Sequence, residues 1–188
     1  IPEGTTKIAA YAFWNCYTMN TLKVPTSVEN AGEYAFYQCR LADIYWNARA
    51  CEDLYKDNAV ILLFDKTCVS SSAKISLTIG PDVEIVPSYL FYEIYKGKSS
   101  TATEVTSLTF LSTICQKVGN YLFNSDYLYA TKKLGYVDIA DINAWAQIDF
   151  GLNYANPLRF ANQMWINGER VGTEITLDNS ILRIGSAT

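Results

Sequence analysis

Asp138, Asp141 and Asp149 are the best-placed carboxylates in this sequence for acid–base chemistry, and glycoside hydrolysis is the chemistry they would suit. That reaction needs two carboxyl groups about 5 Å or about 6.5–9.5 Å apart across the scissile bond. Nothing in the spacing of these three sets such a distance. Asp141 stands ahead of Ile142, Trp145 and Ile148, the position of an N-cap on a short helix. Asp138 alternates with apolar neighbours and reads as a solvated strand residue. The chain contains no histidine. Ser-His-Asp and Cys-His nucleophile systems and His-containing zinc sites are therefore excluded.

The five cysteines, Cys16, Cys39, Cys51, Cys68 and Cys115, include no C-x-x-C pair. An odd count leaves at least one thiol unpaired. The expectation is small buried hydrophobes, with a Cys51–Cys68 disulfide as the alternative. Lys96-Gly97-Lys98-Ser99 lacks the full spacing of a phosphate loop and reads as a flexible polar loop. The aspartates are too scattered for a calcium loop. The sequence thus assigns no catalytic residue, no metal ligand and no cofactor, and the protein is expected not to be an enzyme.

Composition bounds the rest. At 188 residues and 49% hydrophobic, the chain has the length of one domain, 1–188, and enough apolar residues for a continuous core. With 15 basic and 19 acidic residues the net charge is −4, which argues against a nucleic-acid partner. No apolar run reaches the length of a transmembrane helix. The chain opens directly on repeat sequence, without a signal peptide, and stops in mid-repeat, so a piece of a longer protein is expected.

The elements that must position these residues come from an internal repeat. Ile1-Pro2 recurs as Val24-Pro25, Tyr11 as Tyr34, Ala12-Phe13 as Ala35-Phe36 and Cys16 as Cys39, always 23 residues on. Later copies are degenerate. Leu77-Thr78-Ile79 leads to Val86 and Leu90-Phe91. Leu108-Thr109-Phe110-Leu111 leads through Val118-Gly119, the counterpart of Ala31-Gly32, to Leu122-Phe123. Ile175-Thr176-Leu177 leads to Ile184-Gly185. A period of 23 falls in the leucine-rich-repeat range and predicts a solenoid.

Each repeat should supply one short strand whose first and third residues face the core. These are Leu22-Lys23-Val24, Ile44-Tyr45-Trp46, Leu77-Thr78-Ile79, Val137-Asp138-Ile139 and Ile175-Thr176-Leu177. Pro at a strand end cannot donate to the ladder and stops it. Phe13, Phe36, Phe91 and Phe123 should stack as an internal column. Outward strand positions then offer a possible ligand-binding face: Lys23, Tyr45, Thr78, Asp138, Asp149 and Thr176. The plain alternative for each is an ordinary solvated residue. Tyr121, Tyr127, Tyr129, Tyr136 and Tyr154 could form a stacking patch for sugar or peptide, although periodic aromatics are usually core.

Irregular insertions are expected near 47–74, 95–104 and 141–170. Within the last, Asn156-Pro157-Leu158 suits the start of a short helix. Trp165 to Val171 suits a hairpin around Asn167-Gly168.

Ile1-Pro2-Glu3-Gly4-Thr5 through Phe13-Trp14-Asn15-Cys16, with its copy at 24–39, resembles the BspA-like leucine-rich repeats of bacterial surface antigens. Trp46-Asn47-Ala48 with Cys51 is similar to an extended repeat of that family. Asn156-Pro157-Leu158 with Trp165 to Glu169 is similar to a segment that recurs there. The resemblance is strongest at 1–46 and 145–185. Leu90-Phe91 and Leu122-Phe123 depart from the usual Ala-Phe, and Leu111-Ser112 lacks the proline.

The resemblance implies a β-rich leucine-rich-repeat solenoid, α/β by repeat class. Its parallel strands would line a concave face, with short strands and 3₁₀ or helical turns on the convex side. It also implies an extracellular or cell-surface location in host-associated bacteria and adhesion to a host or bacterial surface protein or glycan. It brings no catalytic residues. The expected function is a non-catalytic binding module. The alternatives are a structural spacer presenting another domain, and a carbohydrate-active enzyme or a module attached to one.

Overall fold

The structure, a computed structural model, describes residues 1–64, 74–92, 94, 105–123, 134–152 and 154–178. Its long strands are β2 (Thr21–Val24), β4 (Asp43–Trp46), β7 (Ile75–Ile79), β9 (Val105–Phe110), β11 (Leu134–Ile139) and β13 (Ala161–Ile166). These six pair in parallel, in chain order. The antiparallel β14 (Glu169–Arg170) adds a seventh strand at the edge. The short strands β1 (Lys7–Ile8) and β3 (Asn30–Ala31) pair in parallel. So do β8 (Ile85–Val86), β10 (Lys117–Val118) and β12 (Asp149–Phe150). The chain alternates between long and short strands, one of each per turn, and so winds a β-solenoid.

Period-2 alternation explains this arrangement. Leu22, Ile44, Leu77, Leu108 and Val137 stand side by side in register, as do Val24, Trp46, Ile79, Phe110 and Ile139, and all ten are buried. From the short strands Ile8, Ala31, Val86, Val118 and Phe150 close the same core. No single turn can bury these faces alone, so each is stabilised by its neighbours.

The phenylalanine column forms, and it is longer than the 23-residue spacing indicated. Ring centroids are 5.5 Å apart for Phe13–Phe36 and for Phe36–Phe64, 6.1 Å for Phe64–Phe91 and 5.9 Å for Phe91–Phe123. Phe160 ends the column edge-on to Phe123, at 6.3 Å.

Two of the expected insertions are themselves repeat turns. Residues 47–64 carry a small hairpin, β5 (Tyr55–Lys56) and β6 (Ala59–Val60), and then rejoin the core at Leu63-Phe64. Asp57 and Asn58 both take positive φ, as a tight type I′ turn requires. Residues 141–170 place β12 and β13 in the two sheets, so the repeat runs through them. Their local signals hold. Asp141 Oδ1 accepts the N–H groups of Asn143 (2.8 Å) and Ala144 (3.1 Å) at the start of the helix Ile142–Ala146. Asn156 caps the 3₁₀ turn Pro157–Arg159, and Asn167 and Gly168 turn the hairpin with φ of 51° and 80°. The polar segment 95–104 lies outside the described residues.

Ile175-Thr176-Leu177 is not a strand, and Ile175 and Thr176 are exposed. The reason is topological. Once β14 folds back on β13, with Trp165 opposite Arg170, no parallel edge is left for another repeat strand. The chain instead returns toward the short helix, where the Asp178 N–H donates to Asn143 Oδ1 at 2.8 Å. Ile184-Gly185 lies outside the described residues.

Candidate functional site

Strand register brings four of the six sequence-derived site residues into one line. Lys23 pairs with Tyr45, Tyr45 with Thr78, Thr78 with Thr109, Thr109 with Asp138 and Asp138 with Trp165. All six side chains stand on the outer face of the long sheet, opposite the core rows. Five gaps at ~4.8 Å give the row a span of about 24 Å. A second outward line runs Thr21, Asp43, Ser76, Ser107, Tyr136 and Gln163. At one end the Tyr136 and Trp165 rings meet at 5.0 Å, and Trp165 Nε1–H donates to Gln163 Oε1 at 3.2 Å.

The other two residues lie elsewhere. Asp149 is a strand residue, but its strand β12 belongs to the short sheet, where it pairs in register with Lys117. Thr176 lies beyond the last strand. Thr109 and Trp165 take their places in the row. Thr109 was legible as the middle of Leu108-Thr109-Phe110. Trp165 was assigned to the hairpin and so was not counted among the outward residues.

The three aspartates do not form an acid–base pair. Asp141 is committed to its helix cap and Asp149 is on the other sheet. Asp138 Oδ1 accepts the Gly168 N–H at 3.1 Å and pins the β13–β14 turn. Among the described residues, no group of three His, Cys, Asp or Glu converges as a metal site would require. No described helix is long and apolar enough to cross a membrane.

The tyrosines are divided as well. Tyr127 and Tyr129 lie outside the described residues, and Tyr136 is on the long sheet. Tyr121 and Tyr154 belong to a separate outer column beside the phenylalanines. In it Tyr55–Tyr89, Tyr89–Tyr121 and Tyr121–Tyr154 stack with centroids 5.6, 5.2 and 5.5 Å apart. Its N-terminal portion is Tyr11–Tyr34, at 5.7 Å. The sequence signal was a tyrosine two residues before Phe13, Phe36, Phe91 and Phe123. Tyr11, Tyr34, Tyr89 and Tyr121 all take positive φ, between 52° and 64°, a conformation that bulky residues seldom adopt.

Cys16, Cys39, Cys51 and Cys115 are free thiols, while Cys68 lies outside the described residues. Burial pushes the thiols of Cys39 and Cys115 up to about 11 and that of Cys51 up to about 12. Such groups are poor nucleophiles at neutral pH. Their pKa is higher folded than unfolded, so folding favours the protonated form. The stability they contribute is full below about pH 9 and is lost as pH rises toward 11. In a Cys68→Ser background, urea midpoints should therefore fall between pH 8 and pH 10, and Cys51→Ala should flatten the fall. A midpoint independent of pH over this range would contradict the burial of these thiols.

Comparison with known families matches residues 1–57 to the model described as a BspA type leucine rich repeat region (6 copies). No curated protein and no solved structure matches the chain.

Proposed function

Given that residues 1–57 carry the BspA-type leucine-rich repeat, we propose that this chain is a non-catalytic binding module of the cell surface or extracellular space. In this reading residues 1–188 act as one solenoid unit and take a host or bacterial surface protein or glycan on the outer face of the long sheet. The observation that carries it is the unbroken row Lys23–Tyr45–Thr78–Thr109–Asp138–Trp165. A flat strip about 24 Å long suits an extended ligand lying across the strands. Tyr45 and Trp165 supply the large amphipathic surfaces that favour recognition at its two ends.

The test is saturable binding to a panel of immobilised matrix proteins and glycans. Tyr45→Ala and Trp165→Ala should each weaken the strongest hit at least tenfold, with melting curves unchanged, since truncation of a binding hot spot costs about 2 kcal/mol or more. Binding of nothing on the panel would favour a spacer. Turnover of a glycan that is lost in Asp138→Asn would favour an enzyme.

A further inference from the structure

At the N-terminal end of the outer aromatic column, four rings form a closed circuit. Centroid separations are 5.2 Å for Tyr11–Trp14, 5.7 Å for Trp14–Tyr37, 5.2 Å for Tyr37–Tyr34 and 5.7 Å for Tyr34–Tyr11. These four side chains alone line a groove of about 250 Å³. Tyr11 and Trp14 remain 46% and 50% exposed, although both stand beside a core that buries nearly every other large side chain of these turns. Tyr11 and Tyr34 hold their rings there at the cost of a left-handed backbone, φ 59° and 52°. Glycine or asparagine would take that conformation with less strain. The positions therefore look chosen for the rings.

We propose that this groove is a binding site for a quaternary ammonium group of the choline type. A point equidistant from four centroids in a circuit of this size lies about 4 Å from each, within the ~6 Å over which a ring face attracts a cation. The chain shows the same chemistry with its own cations. Arg40 sits over the Tyr17 ring at 5.8 Å and Arg159 over the Tyr154 ring at 5.1 Å. An overall charge of −4 favours approach of a positive ligand.

The lining also selects among cations and against sugars. A pyranose brings hydroxyls that need hydrogen-bond partners once covered, yet no carboxylate, amide or guanidinium lines the groove. A lysine ammonium is strongly hydrated and carries three N–H donors with the same need. A methylated ammonium has positive charge and no donors, so ring faces alone satisfy it. This site is separate from the sheet face and does not depend on its role.

The experiment compares choline with its neutral carbon isostere, 3,3-dimethyl-1-butanol, by calorimetric or NMR titration of the whole chain. Choline should bind saturably in the millimolar range and the isostere at least tenfold more weakly. Trp14→Ala should reduce choline affinity tenfold or more, whereas Trp14→Phe retains a ring and most of the affinity. Tyr45→Ala should change nothing here, which separates this site from the sheet face. Tyr11→Leu serves if Trp14→Ala fails to fold by circular dichroism. Phosphocholine-coated beads and phosphatidylcholine vesicles, tested alongside, distinguish a decorated polymer from a lipid surface. Equal binding of choline and isostere, no choline binding, or loss of a glycan hit rather than choline on groove mutation would overturn the assignment.

Discussion

Phe36→Ala is expected to lower the unfolding free energy by about 3–5 kcal/mol in a denaturant titration. Phe36 is fully buried between Phe13 and Phe64, with both neighbouring centroids at 5.5 Å and rings tilted by only 9° and 19°. Truncation removes two stacking contacts at once and leaves a cavity that three successive turns share. The backbone here cannot easily collapse into it, because the Phe36 N–H donates to Leu63 O and the Phe13 N–H to Ala35 O. The exposed Tyr17 gives a comparison, since its truncation should stay within about 0.5 kcal/mol. A loss below about 1 kcal/mol for Phe36→Ala would remove the column from the core.

Gly119→Ala should destabilise by about 1–3 kcal/mol, opposite in sign to the usual gain when the flexibility of an unfolded glycine is reduced. A Cβ at Gly119 would sit 2.4 Å from the backbone nitrogen of Ser88 and 2.6 Å from its Oγ, in the turn before. The Ser88 hydroxyl is itself engaged, accepting the Asn120 N–H at 3.1 Å, so it cannot simply swing aside. Gly32 is its counterpart in the repeat, with a Cβ meeting Ala10 backbone at 2.4 Å. Gly172 has nothing within 4 Å, so Gly172→Ala controls for the unfolded-state effect. Equal stabilities for Gly119→Ala and Gly172→Ala would show that adjacent turns do not approach this closely.

What the sequence revealed depended on whether a signal was local or periodic. The in–out alternation at Leu22-Lys23-Val24, Ile44-Tyr45-Trp46, Leu77-Thr78-Ile79 and Val137-Asp138-Ile139 placed four side chains on the outer face correctly, because side-chain direction along a strand leaves little choice. The Asp141 cap and the Asn167-Gly168 turn were legible for a similar reason, each being a local hydrogen-bonding or dihedral requirement. Alternation does not say which sheet a strand joins, so Asp149 was placed on the wrong one.

A fixed period found Phe13 and Phe36 but not Phe64 or Phe160. The inserted hairpin stretches the step from Phe36 to Phe64 to 28 residues, beyond the 23 of the first copies. The tyrosines were in plain view two residues before each phenylalanine. Their exposure rests on a left-handed backbone that sequence rules assign to glycine, so nothing in those rules turned them outward.

The turns of this solenoid hold one another only pairwise: each strand touches the strand before and the strand after. Order is then a short-range property. Damage at one turn is felt by two neighbours and fades, and opening can begin at either end and travel inward like a zipper. A ligand lying along the row from Lys23 to Trp165 would change this. By touching six strands at once it would join turns that otherwise never meet, so that the ends could no longer fray independently of the middle. Occupancy of the outer face would thereby lengthen the distance over which the chain unfolds as a unit.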